Sequence, residues 1–141
     1  MELKRVVVTG LGAITPVGNS VAQAWENLCN GVSGAGPITH FDASAFKTQF
    51  ACEVKDFKPE EFGIDRKEGR KMDLYTQYAI AAATQAITDS GMDLETEDKN
   101  RIGVVFGVGI GVCTPSKRRL ATGLLTVLQW VLSSVHFLFL R

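Results

Sequence analysis

Histidine and cysteine are scarce in this sequence, and acidic residues are missing from its end. The 141 residues hold two histidines, His40 and His136, and three cysteines, Cys29, Cys52 and Cys113. An odd number of cysteines without paired spacing builds neither a disulfide framework nor a zinc site. They read as reduced thiols that behave as small hydrophobes, and no metal and no cofactor is expected. A nucleophilic Cys113 in "VCTPS" would need a neighbouring base or cation to form its thiolate, and neither histidine lies in such a context. His40, in "ITHFDAS", reads as a loop or surface residue. Basic residues are too sparse for a nucleic-acid site, since Lys117, Arg118 and Arg119 are only three adjacent cations. The start, "MELKRVVVTG", lacks the long apolar core of a signal peptide, so a cytoplasmic protein is expected.

The formal net charge of zero conceals a break. Residues 1–111 carry 11 Lys/Arg and 15 Asp/Glu, a net of −4; residues 112–141 carry Lys117, Arg118, Arg119 and Arg141 and no acid, a net of +4. The tail therefore follows different rules from the body.

The body alternates strand and helix signals. "LKRVVVT" at residues 3–9 is a β-branched run that predicts a buried strand. Ser20 and Gln23 have the spacing of a capping box, which predicts a helix over 20–30 with Val21, Trp25, Leu28 and Cys29 on one face and a left-handed stop at Gly31. "FKTQFACEV" alternates in part and reads as a strand in an excursion; "KPEEFG" reads as one helical turn opened by Pro59. A longer helix is expected within 66–90, ending at "DSG". Its face of Met72, Tyr75, Ala79, Ala82, Ala83 and Ala86 is mostly small, so a neighbour can press close. "RIGVVFG" then predicts a second strand over 102–107, placed in one sheet with 3–9. This order favours an α/β fold with parallel pairing and right-handed crossovers.

Two glycine loops follow the predicted strands, "GLG" at Gly10–Gly12 and "GVGIG" at Gly107–Gly111. A dinucleotide fingerprint needs G-x-G-x-x-G opening a helix, with an acid about twenty residues on. Neither loop fits, and the glycines read as points of close backbone packing or positive φ. "DRKEGRKMD", from Asp65 to Asp73, mixes charge signs. It reads as a solvated helix start, or as a basic contact for an acidic partner.

The segments "RVVVTGLGAITPVGN", "FDASAFKTQFACEVKDF", "DRKEGRKMDLYTQYAIAAATQAITDSG" and "RIGVVFGVGIG" resemble the N-terminal part of the β-ketoacyl-acyl-carrier-protein synthase II family, in order across residues 1–111. The resemblance implies a partial thiolase-like α/β fold, a homodimer partner and an acyl carrier protein partner. It implies acyltransferase chemistry in fatty acid biosynthesis: decarboxylative Claisen condensation, with a cysteine holding the acyl chain and two histidines stabilising enolate and oxyanion. The segments that carry that cysteine and those histidines do not occur here, and Cys113 does not match the nucleophile motif. No catalytic residue is therefore assigned, and the chain is expected to be a truncated, inactive member. The resemblance places the glycine loop Gly107, Gly109 and Gly111 beside the acyl-chain tunnel, with Ile110 as tunnel wall. A glycine loop bearing one bulky apolar side chain suits an apolar pocket.

Residues 112–141 leave the family pattern. One back-translation of "VCTPSKRRLAT", read two bases later, spells "VHTFEEEVGN", close to the Phe-Glu-Glu stretch of many family members. The expectation is a frameshifted tail. A rival reading stands beside it: Leu120–Leu140 has no Lys, Arg, Asp or Glu over 21 residues, roughly 31 Å as a helix, enough to span a bilayer core. Two classes stay open, a condensing-enzyme chain and a non-enzymatic fragment or membrane-attached product.

Overall fold

The computed structural model describes residues 5–107. The first helix, α1 (Val21–Cys29), starts where Ser20, in extended conformation, accepts the Gln23 N–H on its hydroxyl at 3.2 Å. Gln23 reaches back to the Asn19 N–H at 2.9 Å, one residue earlier than a standard capping box. The helix stops at left-handed Gly31: Gly31 N–H donates to Leu28 and Val32 N–H to Asn27, the paired bonds of a Schellman ending.

The excursion holds a minimal antiparallel ladder of β1 (Gly36–Pro37) and β2 (Phe50–Ala51), with Gly36 opposite Ala51. Pro59–Phe62 forms a 3-10 turn closed by left-handed Gly63. The expected long helix is two pieces. A single turn, α2 (Arg66–Gly69), is capped by Asp65, whose carboxylate accepts the Lys67 N–H at 3.0 Å. The main helix, α3 (Leu74–Ser90), ends at left-handed Gly91.

A small apolar centre joins these pieces. Ile64 and Ile80 are fully buried and Met72 nearly so, forming one cluster. Phe57 packs edge-on against Tyr78 with centroids 4.8 Å apart and stacks on Phe62 at 5.7 Å, clamping the 3-10 turn to α3.

Four expectations are corrected. Neither 5–9 nor 102–107 enters a β-ladder among the described residues; the predicted sheet is absent there, and Val8 and Val105 are 78% and 82% exposed. β-branched residues supply only propensity, whereas a strand exists by pairing with a neighbour. The apolar face of α1 is also largely uncovered: Val21 is half-buried, but Leu28 and Trp25 stand 59% and 69% exposed, and Ala24 is the helix's one buried residue. Cys29 and Cys52 are likewise exposed rather than packed as small hydrophobes, because nothing among the described residues covers them. On α3 the deepest residues are Thr76, Gln77, Ile80, Ala81 and Ala83, while Tyr75, Ala79, Ala82 and Ala86 are half-buried. The small face still has its expected use. A Cβ on Gly10 would strike the Ala86 carbonyl and Ser90, and one on Gly12 the Ala82 carbonyl, so this face carries the backbone of the first glycine loop.

Candidate functional site

Three local arrangements of polar groups stand out among the described residues. The first is the basic turn. Arg66, Lys67, Arg70 and Lys71 are all exposed, and none forms an ion pair among the described residues. Between 66 and 71 the only carboxylate is Glu68, so four cations face outward with one acid. Asp65 is occupied as the cap of α2. Beneath the cations the mount is firm. Ile64 and Met72 flank α2 and enter the apolar centre with Ile80. From α3, the Gln77 side-chain amide donates to the carbonyls of Gly69 at 2.8 Å and Met72 at 3.1 Å.

The second arrangement is a carboxylate clip. Glu53 accepts the Thr39 hydroxyl at 2.7 Å, the Thr39 N–H at 3.1 Å and the His40 N–H at 3.4 Å. The Thr39 hydroxyl foremost, aided by these N–H groups and the His40 ring, holds the Glu53 carboxyl below the usual glutamate range. The His40 imidazole lies 3.9 Å from Glu53 and is 57% exposed, the surface position expected for it. Burial, with the nearby Glu53 charge, raises the Tyr78 phenol. The Thr39 hydroxyl donates to a carboxylate whose lowered pKa makes it a weak base, so the contact suits holding the loop better than activating a nucleophile.

The third is an open depression of about 430 Å³ where the first glycine loop meets α1, the 3-10 turn and α3, lined by Leu11, Val21, Phe62, Thr84, Gln85 and Asp89 among others. Leu11 N–H donates to Asp89 at 2.9 Å, and Gln85 accepts from Ala13 N–H and donates to the Asn19 carbonyl at 2.8 Å.

Of the expected tunnel residues, Gly107 is exposed and a Cβ there would meet open space. Gly109, Ile110 and Gly111 lie outside the described residues, as do Cys113, His136 and the apolar run 120–140. Among the described residues no cluster of three His, Cys, Asp or Glu could hold a metal, and no helix is long and apolar enough to cross a membrane. Sequence reasoning singled out the basic turn but missed Gln77 and Glu53. For the first the available signal was weak, a glutamine one turn before Ile80 and Ala81 on a helix that also carries Gln85; for the second there was none, because Thr39 and Glu53 meet only through the fold.

The sequence matches the β-ketoacyl synthase N-terminal domain family over residues 3–129. It is 50% identical over 111 residues to 3-oxoacyl-[acyl-carrier-protein] synthase 2 of Vibrio harveyi, covering 79% of this chain and 26% of that protein. It is 49% identical to the protein of the same description from Coxiella burnetii, covering 79% and 27%. The chain thus spans about a quarter of the length of these relatives. Among solved structures it is similar to the ishigamide ketosynthase/chain length factor, with a TM-score of 0.57 and 40% identity, covering 63% of this chain and 22% of that one. It is also similar to a type II polyketide ketosynthase bound to the hexaketide in complex with its acyl-carrier protein, with a TM-score of 0.53 and 29% identity, covering 70% and 24%. The architecture is a partial, thiolase-like α/β fold. A match that takes in most of the chain, with half its residues identical to full-length relatives in the aligned region, decides the matter: the chain belongs to the β-ketoacyl synthase family.

Proposed function

We propose that these residues are the N-terminal part of a β-ketoacyl-acyl-carrier-protein synthase of fatty acid chain elongation, and that the basic turn at α2 receives the acyl carrier protein. One observation carries the second step: Arg66, Lys67, Arg70 and Lys71 are exposed, lack ionic partners among the described residues, and stand on a firm apolar base. Such a patch suits an acidic partner, steering its approach and fixing its register. A neighbour of similar fold was solved with its acyl-carrier protein bound, which supports the choice of partner.

In this reading Ile110, with Gly107, Gly109 and Gly111, forms part of the acyl-tunnel wall, and the assembled enzyme is a cytoplasmic homodimer. The condensing chemistry is not supplied by these 141 residues. They lack the family's nucleophile and histidine segments, so this chain by itself transfers no acyl group. The family match runs on to residue 129, but "VCTPSKRRLAT" stands where many members carry a Phe-Glu-Glu stretch, and we read that departure as a frameshift, which the nucleotide sequence of the locus tests directly. One clean frame for residues 112–141 in several isolates would remove that part of the reading.

The docking proposal is tested by titrating the chain with acyl carrier protein at low and high salt. Binding should weaken with salt, and Arg66→Ala with Arg70→Ala should weaken it severalfold and flatten the salt dependence. Binding indifferent to both changes would overturn it.

A further inference from the structure

The four cations of the basic turn stand on a structure that could not hold itself. The helix α2 is four residues long, one turn, and contains Gly69. A single turn bears the full nucleation cost, and glycine in it adds to that cost. Something outside the turn must order it. Ile64 and Met72 anchor its two ends, but apolar contacts are not directional. Asp65 caps its start, and the directional tie from the neighbouring helix α3 is Gln77. It is 7% exposed, and its one amide nitrogen serves both Gly69 O, the last carbonyl of α2, and Met72 O, just before α3. Arg70 and Lys71 lie between those two carbonyls. Locking them therefore locks the backbone that carries half of the cations.

We infer that Gln77 is a positioning residue for the basic turn: its buried amide sets the arrangement in which the cations meet their partner. This rests on the docking reading above. A patch ordered in advance loses less freedom on binding, which raises affinity without adding a contact.

The test uses the full 141-residue chain and acyl carrier protein, with affinity and stoichiometry read at several salt concentrations. Gln77→Met keeps the length of the side chain and removes the donor. It should weaken binding roughly fivefold to thirtyfold, with stoichiometry and salt slope unchanged because no charge is lost. Arg70→Ala should reduce the salt slope. Loss of stoichiometry at unchanged affinity would mean that Gln77 only supports the fold, and would overturn the inference. Wild-type affinity in Gln77→Met beside weakened Arg70→Ala would overturn it while leaving the docking reading intact. Charge variants without effect would remove both. If Gln77→Met does not fold, hydrogen exchange of the Gln77 side-chain amide in the wild-type chain decides. Protection in the free chain, unchanged on adding carrier protein, is the expected result; exchange at the rate of an open amide would refute it.

Discussion

Gly12 lies against Ala82 so closely that a single added methyl group would collide with the Ala82 carbonyl. Gly10 stands in the same relation to Ala86. The loop backbone is thus seated in the small face of α3, and helix backbone cannot yield as a flexible side chain would. Gly12→Ala should destabilise the unit by about 1–3 kcal/mol or prevent its folding. Gly69→Ala is the contrasting case, because a Cβ there meets Gln77 and Ile64 at an ordinary 3.7 Å. It should be neutral or stabilising by roughly 0.5–1 kcal/mol. Denaturant midpoints of the two variants check the contrast.

Gln85 ties the same loop at two points, accepting from Ala13 N–H and donating to Asn19 O. Gln85→Met keeps the bulk and loses both bonds. The expected cost is about 1–3 kcal/mol, with faster exchange at the Ala13 amide.

Acid should loosen the Thr39–Glu53 clip. The Glu53 carboxyl is held below the usual glutamate range in the folded chain. Its contribution is therefore present above the unfolded glutamate value and fades as pH falls through the lower folded one. The stability difference between wild type and Glu53→Gln should shrink with falling pH across that window. Thr39→Val should move the Glu53 titration, followed by NMR, back toward the usual range.

Bare apolar residues should make the isolated chain prone to association. Trp25, Leu28, Val8 and Val105 are exposed together with other large apolar side chains, far more than scattered surface hydrophobes require. Strong binding of a hydrophobic dye is expected, and Trp25→Glu should reduce it. A sharply melting, soluble monomer without dye binding would contradict this.

Incubated with acyl- and malonyl-carrier protein, the chain should show neither acyl transfer to protein nor ketoacyl product, with Cys113→Ser as control. Condensation needs a nucleophile for the acyl group and donors for the developing negative charge. Acylation that disappears in Cys113→Ser, together with product formation, would sink this expectation.

Local chemistry wrote the helix ends into the sequence. Ser20 caps α1 and Gly31 stops it, Pro59 opens the 3-10 turn, and Gly91 ends α3. Each is decided by one side chain or one φ angle within a few residues. The family was legible too, because its motifs are contiguous. The small face of α3 announced a close neighbour, and the glycines of the first loop proved to be that neighbour. Pairing of 3–9 with 102–107 was not decided locally, since β-branched residues favour extended backbone but cannot name a partner. Nor was the burial of Gln77, a polar residue admitted to the interior only because Gly69 and Met72 present carbonyls to it. The Glu53 clip likewise needed the excursion to fold back through β1 and β2 before Thr39 could reach its carboxylate. Side chains near in sequence settle caps and turns; groups distant in sequence acquire partners only when the chain brings them within hydrogen-bond reach, and that is what tertiary structure decided here.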